Sequence, residues 1–236
     1  MAKYTLDQLA QMIDHTNLKA DATTAMIEAL CEEAKKYRFA SACFNPVKAP
    51  IAGKILAGAD IKACSVIGFP LGQASIRTKV FETEDALENG ANEIDYVINV
   101  SAALEGNWDY LKREMEEIVA VCNKKGALSK VIFENHYLTT AEIAKLCEIA
   151  SLVKPSFIKT STGTTATGAT VEDVALMSML TPPEVEVKAS GGIRTADTFL
   201  EMLRSGATRV GASASIAIMD ELQERFFAGG EQYLEV

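Results

Sequence analysis

Histidine is scarce in this 236-residue chain, which contains only His15 and His136. A catalytic zinc site usually takes several histidines with a supporting acid, so we expect no metal-dependent chemistry here. A lone histidine is more often a hydrogen-bonded structural group, and we interpret both in that way.

Patterns that bind nucleotides or direct a chain to a membrane are also missing. There is no Walker loop and no G-x-G-x-x-G after a first strand. No run of about 18 apolar residues occurs, and Met1–Thr5 lacks the apolar stretch of a secretory signal. The net charge is -9, with no compensating basic block. These features argue against nucleic acid or an anionic membrane surface as a partner.

Cysteines are few, and none forms a C-x-x-C pair. The five are Cys31, Cys43, Cys64, Cys122 and Cys147. An odd, scattered set predicts small buried side chains in a reducing compartment. We therefore expect a cytoplasmic protein.

The length and composition predict a single domain. Hydrophobic residues make up 48% of the chain and charged residues 23%, which is typical of a globular protein with a large core. No Pro/Ser-rich linker divides the sequence. We expect residues 1–236 to form one catalytic domain with a short N-terminal helix, since α/β barrels reach about 250 residues as one unit.

A Gly-Ala dipeptide recurs at the ends of helical patterns. It occurs at Gly58, Gly90, Gly126 and Gly206. Glycine readily takes the left-handed conformation that ends a helix, so each dipeptide predicts a helix stop. The Thr139-x-x-Glu142 pattern predicts the opposite, a capping box where a helix begins.

Short, nearly continuous apolar runs alternate with the helical patterns. They predict seven strands, at residues 39–44, 61–67, 93–97, 129–133, 156–160, 185–189 and 208–211. Such runs suit a parallel sheet covered on both faces, as in a doubly wound sheet or a (β/α)8 TIM barrel. The segment Met12–Thr16 supplies an eighth strand and favours the barrel.

Two lysines lie near the ends of similar strands. Lys159 is followed by Thr-Ser-Thr-Gly, and Lys188 by Ala-Ser-Gly-Gly. Catalytic residues of barrels lie at the carboxyl ends of the strands. One strand-helix-strand unit separates the two lysines, so we expect the amines to lie close together. A neighbouring ammonium disfavours charging both amines, which activates one as a nucleophile. The alternative is a pair of strand-end lysines that extend into solvent.

Two carboxylates accompany the lysines. Asp95 lies inside a strand that is expected to be buried on both faces, where an unpaired charge would cost several kcal/mol. We expect it to meet a lysine across the barrel mouth, in a catalytic or a purely structural ion pair. Asp14 also fits ordinary turn chemistry.

Two glycine-bearing segments near the C-terminus predict an anion site. Gly191-Gly192-Ile193-Arg194 and Gly211-Ala212-Ser213 each precede a helix. Backbone N–H groups at such positions bind phosphate, and barrels place this site after strands seven and eight. The segments predict a phosphorylated ligand but do not identify a reaction.

The motifs around Lys159 and Lys188, with Glu93-Ile94-Asp95, resemble the deoxyribose-phosphate aldolase family. The likeness runs from Asp14-His15-Thr16 through Cys43-Phe44-Asn45-Pro46 to Gly211-Ala212-Ser213, over nearly the whole chain. It implies reversible cleavage of 2-deoxy-D-ribose 5-phosphate to D-glyceraldehyde 3-phosphate and acetaldehyde on a barrel, without a cofactor. Sugar phosphates and short aldehydes would be the partners, and a homodimer or higher homo-oligomer is an open expectation.

The resemblance also implies roles for individual residues. Lys159 matches the Schiff-base lysine, Lys188 the second lysine, and Asp95 the acid that relays protons with it. Phosphate binding falls on Gly163, Gly191, Gly192, Ile193, Arg194, Gly211, Ala212 and Ser213. The supporting residues are Asp14, Thr16, Cys43 and Thr162, of which Asp14 is expected to orient Lys188 or a water.

The chain departs from the family at two positions. Some members carry a phosphate-binding lysine where this chain has Thr164, and a serine where it has Ala214. In some members a C-terminal tyrosine reaches the active site, and the role of Tyr233 is left open. Two alternatives also remain: another sugar-phosphate barrel enzyme, such as an isomerase or epimerase, and a non-catalytic sugar-phosphate-binding protein.

Overall fold

The computed structural model describes residues 2–229 and 233–236. Ten strands are β1 (Lys3–Tyr4), β2 (Ile13–Asn17), β3 (Ser41–Phe44), β4 (Lys62–Ile67), β5 (Glu93–Val97), β6 (Leu128–Ile132), β7 (Phe157–Lys159), β8 (Glu186–Ser190), β9 (Arg209–Ala212) and β10 (Leu234–Glu235). Ten α-helices are α1 (Leu6–Ala10), α2 (Thr24–Tyr37), α3 (Ala49–Leu56), α4 (Ile76–Glu88), α5 (Val100–Leu104), α6 (Trp108–Lys125), α7 (Thr140–Val153), α8 (Val171–Leu180), α9 (Ala196–Arg204) and α10 (Ser215–Gly229). Short 3₁₀ helices cover Pro46–Lys48 and Asn135–Tyr137.

Strands β2 to β9 form a closed parallel barrel in chain order. β2 pairs with β9 as well as with β3, so the sheet has no free edge within the barrel. This closure confirms the (β/α)8 barrel and excludes the doubly wound alternative. The eighth strand lies where the segment Met12–Thr16 predicted it. No helix in the described part of the chain is long and apolar enough to cross a membrane.

The Gly-Ala dipeptides end helices as predicted. Gly58, Gly90, Gly126 and Gly206 all have a positive φ, between 67° and 107°. Gly126 is the C-cap of α6, and its N–H donates back to carbonyl groups of the last turn. A residue with a Cβ would be strained in this left-handed conformation, so the glycine fixes where each helix stops.

The predicted capping box is present at the start of α7. The Thr139 hydroxyl accepts a hydrogen bond from the Glu142 N–H, and the Glu142 carboxylate accepts one from the Thr139 N–H at 2.6 Å. Both groups satisfy N–H donors that the first helical turn leaves without partners. Local sequence therefore decides where this helix begins.

The two chain ends meet beside the amino end of the first barrel strand. β1 pairs antiparallel with β10, and Ala2 and Val236 exchange backbone hydrogen bonds of 3.0 and 2.9 Å. β1 leads through α1 into β2, so this small sheet lies on the amino-terminal side of the barrel. Tyr233 directly precedes β10 and is held on that side.

A buried ion pair joins two helices outside the barrel. Lys79 of α4 contacts Glu114 of α6 at 2.7 Å and donates to the Val97 carbonyl at 2.6 Å. The Glu114 carboxylate also accepts from the Asn99 N–H at 3.0 Å. Burial lowers the pKa of Lys79 and raises that of Glu114, and each partner opposes the shift of the other. The pair holds α4 and α6 against the end of β5.

Removing one partner of this pair should destabilise the fold. We expect Lys79→Met to lower the free energy of unfolding by ~3–5 kcal/mol, because the Glu114 carboxylate is then buried without its cation. Lys112→Met breaks an exposed pair with Glu116 on α6 and should cost at most about 1 kcal/mol. Urea unfolding measures both. Equal losses in the two variants would contradict a structural role for the buried pair.

Candidate active site

A cavity of about 630 Å³ opens at the carboxyl ends of the barrel strands. It is lined by the loops that follow β2, β7, β8 and β9, with Lys159 at its floor. The residues predicted from the sequence that line it are Thr16, Lys159, Thr162, Gly163, Gly191, Gly192, Ile193, Arg194, Gly211, Ala212 and Ser213. The nucleophile candidate and all candidate phosphate-binding residues therefore share one space.

Both lysines contact a single carboxylate oxygen below the cavity. The Lys159 Nζ lies 2.7 Å from Asp95 Oδ2, and the Lys188 Nζ lies 2.6 Å from the same oxygen. Lys188 also contacts Asp14 Oδ2 at 2.6 Å. The strands β7 and β8 pair with Lys159 opposite Lys188, which sets the two amines side by side. The expected closeness of the lysines is confirmed.

A second layer of charges lies beneath these groups. Lys130 of β6 contacts Asp95 Oδ1 at 2.7 Å, Glu93 Oε2 at 2.8 Å and Asp14 Oδ2 at 3.5 Å. Arg209 at the start of β9 contacts Asp14 Oδ1 at 2.7 Å and Glu93 Oε1 at 3.2 Å. Asp95 therefore contacts three lysines. Two of these lysines, Lys130 and Lys188, also contact Asp14, and Lys130 contacts Glu93 as well.

The surrounding cations keep the two aspartates ionised. Burial alone would raise the pKa of Asp95, but the three lysines outweigh it and hold that pKa well below its usual range. The pKa of Asp14 is lowered in the same way, against its burial, by Lys130, Lys188 and Arg209. The acids in turn raise the pKa of Lys188 above its ordinary value, although burial opposes this. Lys188 is therefore an ammonium group at neutral pH.

Two thiols adjoin the carboxylate. Cys43 and Cys64 are paired in register on β3 and β4, and Cys64 donates to Asp95 Oδ1 at 3.2 Å. The two sulfurs and one Asp95 oxygen lie within 4.8 Å of one another, a donor set that could suit a thiophilic metal. Lys130 also contacts the Cys64 sulfur, at 3.4 Å, and the ammonium groups of Lys130 and Lys188 already occupy the two Asp95 oxygens. A metal would have to displace these cations, so we assign none.

The loop after β7 is held by an acid that follows β6. Glu134 has a left-handed backbone, with φ of 58°, and its carboxylate accepts from the N–H of Thr162 at 3.3 Å. It also accepts from the Thr162 hydroxyl and, at 3.3 Å, from that of Thr165. Thr162 thus belongs to a hydrogen-bonded support for Gly163, which lines the cavity.

The glycines after β8 allow two loops to touch. A Cβ on Gly168 would lie 2.0 Å from the Gly191 carbonyl oxygen, and Gly191 itself has φ of 88°. The first turn of α9 is already satisfied, since the Ala196 N–H donates to Glu221 at 2.7 Å. The candidate donors to an anion are therefore the loop N–H groups of residues 191–194 rather than the start of α9.

Gly211 makes room for the second lysine. A Cβ at this position would lie 3.0 Å from the Lys188 Cε and 3.1 Å from the Ser190 Cβ. Lys188 cannot move aside easily, because its ammonium is held between Asp14 and Asp95. Gly211 therefore leaves space for Lys188 among the buried charges and also lines the cavity above them.

Three residues of the charged network were missed from the sequence. Glu93, Lys130 and Arg209 all lie in or at the start of barrel strands, where the argument applied to Asp95 also holds. A charged residue in a strand buried on both faces is the signal that could have found them.

The histidines are hydrogen-bonded as expected: His15 to Glu33 at 2.8 Å and His136 to Thr167 at 2.7 Å. His15 also lines the cavity.

Comparison with known proteins places these features in a family. The DeoC/LacD family aldolase model matches residues 8–223. The deoxyribose-phosphate aldolase of Lactobacillus acidophilus is 54% identical over 223 residues, which cover 94% of each chain. That of Geobacillus sp. is 49% identical over 214 residues, 91% of this chain and 96% of the relative. A tetrameric deoxyribose phosphate aldolase structure from Aeropyrum pernix superposes with a TM-score of 0.87, at 32% identity, over 94% of this chain and 93% of its own.

The ionised state of Asp95 has a consequence for stability in acid. With its pKa held below the ordinary value of about 3.9, Asp95 contributes fully above that pH, and the contribution is lost as the pH falls below it. We expect the free energy of unfolding of Asp95→Asn to fall less steeply below about pH 4, by up to about 1.4 kcal/mol per pH unit. Urea unfolding between about pH 7 and 3 measures this. The exposed Asp21→Asn is the control, and a wild-type slope in Asp95→Asn would contradict these ion pairs.

Proposed function

The chain belongs to the DeoC/LacD aldolase family, and from this premise we propose how its cavity works as a deoxyribose-phosphate aldolase. The enzyme cleaves 2-deoxy-D-ribose 5-phosphate reversibly to D-glyceraldehyde 3-phosphate and acetaldehyde. One observation supports Lys159 as the nucleophile above all others. Its amine is the one at the cavity floor, and it shares an Asp95 oxygen with the Lys188 ammonium.

The reaction begins with attack of the uncharged Lys159 amine on C1 of the open-chain sugar. Loss of water gives a protonated imine, which withdraws electrons from the C2–C3 bond. As that bond breaks, the C3 hydroxyl loses its proton and becomes the aldehyde of D-glyceraldehyde 3-phosphate. The remaining enamine takes a proton at C2, and hydrolysis releases acetaldehyde. The iminium is itself the electron sink, so the chemistry needs neither a metal nor an organic cofactor.

Asp95 and Lys188 are proposed to carry the protons. Their contact of 2.6 Å forms a charge-assisted hydrogen bond, along which a proton can pass with little rearrangement. Asp95 also touches Lys159, so a proton given up at the amine has an acceptor within 2.7 Å. Asp14 orients Lys188 from its other side.

The phosphate is proposed to lie among the glycine loops. Residues 163, 191–194 and 211–213 line that part of the cavity. Their backbone N–H groups are proposed to donate to the phosphate, and the Arg194 guanidinium to pair with it. Thr164 stands where some relatives have a lysine, and its hydroxyl lies 2.8 Å from that of Thr162. Phosphate binding in this chain then depends more heavily on Arg194 than it does in lysine-bearing relatives.

We further propose a cytoplasmic homo-oligomer. All five cysteines are buried and without disulfide bonds, which suits a reducing compartment. The Aeropyrum pernix relative is described as tetrameric. Leu152 of α7 and Met179 of α8 are large apolar side chains that are 67% and 74% exposed, on helices that pack together. No observation favours an isomerase, an epimerase or a non-catalytic sugar-phosphate-binding protein.

Trapping of the imine tests the nucleophile. Acetaldehyde and borohydride should leave a two-carbon adduct on Lys159, which peptide mass mapping identifies. Lys159→Met should lose both the adduct and the cleavage of 2-deoxyribose 5-phosphate, because no amine remains at the cavity floor. An adduct on Lys188 would reverse the assignment, and no adduct on any lysine would exclude the imine mechanism.

Selectivity between two sugars tests the phosphate site. We expect Arg194→Ala to lower kcat/KM for 2-deoxyribose 5-phosphate. The loss should correspond to about 1.5–3 kcal/mol of binding free energy, the typical contribution of a hydrogen bond to a charged group. The kcat/KM for unphosphorylated 2-deoxyribose should hardly change, since that sugar offers no anion. Thr164→Lys should act in the opposite direction and make binding more sensitive to salt.

A matched control is Arg204→Ala, which removes an arginine at the other end of α9 that does not line the cavity. It should alter neither sugar's kcat/KM. If Arg194→Ala impairs both sugars equally, Arg194 supports the fold and the phosphate lies elsewhere.

A further inference from the structure

Every strand of the barrel contributes an ionisable side chain to the interior. The set comprises Asp14 from β2, Cys43 from β3, Cys64 from β4, Glu93 and Asp95 from β5, Lys130 from β6, Lys159 from β7, Lys188 from β8 and Arg209 from β9. Ion pairs of 2.6 to 3.5 Å join the three acids and four bases into one network. Above it, the cavity adds His15, Lys19, Glu33 and Arg194, and Glu134 follows β6.

The charges of this network cancel only when Lys159 is neutral. Asp14, Glu93 and Asp95 supply three negative charges, and Lys130, Lys188 and Arg209 supply three positive ones. Protonating Lys159 would therefore add an uncompensated charge to a group whose side chain is only 3% exposed. A buried net charge that no partner compensates is costly.

Arg209 supplies the third positive charge of the network without contacting Lys159. Its guanidinium contacts Asp14 and Glu93 but not Lys159, and it lies over the Phe157 ring with its central carbon 5.0 Å from the centroid. Asp14 links it to Lys188, and Glu93 links it to Lys130. Although burial would lower the pKa of Arg209, the two acids raise it above its ordinary value, so its charge is permanent.

We propose that Arg209 is a positioning residue for the aldol reaction. Its positive charge balances the negative charges of Asp14 and Glu93, so that Lys159 stays uncharged for attack. This inference rests on the proposed function, in which Lys159 is the nucleophile. Removing Arg209 would leave the network one positive charge short. Protonation of Lys159 would then restore neutrality, at the expense of nucleophilicity.

The test is the pH dependence of adduct formation with acetaldehyde, trapped by borohydride. Arg209→Met should raise the pH at which the rate is half-maximal by about one unit. At any pH below the wild-type midpoint, the rate should then be about tenfold lower. Arg209→Lys keeps the charge and should keep the wild-type profile. The double variant Glu93→Gln/Arg209→Met removes one charge of each sign and should return the profile toward that of wild type.

Thermal unfolding of each variant shows whether it is folded. If Arg209→Met does not fold, Glu93→Gln alone carries the test, since loss of a negative charge should move the profile downward by about one pH unit. An unchanged profile in Arg209→Met, or a double variant displaced as far as the single one, would overturn the inference. A wild-type enzyme that forms no adduct on Lys159 would instead overturn the proposed function.

Discussion

The carboxylate of Asp95 is the group on which the rest of the site depends. It is fully buried and meets the amino groups of three lysines, each within 2.7 Å. Left without them, a buried carboxylate would cost several kcal/mol or become protonated. The cations are equally costly without the acid. The site is therefore a set of mutually dependent charges, and a closed barrel is what brings them together from strands far apart in sequence.

The barrel separates the two tasks of the enzyme. The charged floor is built from side chains that point into the barrel, while the phosphate site is proposed to lie in the loops above, where backbone N–H groups bind without adding charge. Gly211 belongs to both, because it lines the cavity and leaves space for Lys188 beneath. A change at position 164 can therefore alter affinity at the proposed phosphate site without disturbing the charged side chains beneath it.

The sequence predicted the barrel, and the residues that it suggested for the phosphate line one cavity, because the signals for both are local. Strand length, Gly-Ala stops and the glycines after Lys159 and Lys188 each act within a few residues. Lys130 and Arg209 were missed because a parallel strand buried on both faces shows no alternation that tells which side chains point inward. The pairing of β1 with β10 was missed for a different reason: it joins two-residue strands from opposite ends of the chain.

The most direct measurement is a crystal structure of the enzyme reduced with borohydride in the presence of 2-deoxyribose 5-phosphate. This account predicts a single bond between Lys159 Nζ and C1 of the sugar, with Asp95 and Lys188 beside it. The phosphate should lie against the loops of residues 163, 191–194 and 211–213. A bond to Lys188, or a phosphate held outside these loops, would contradict the account.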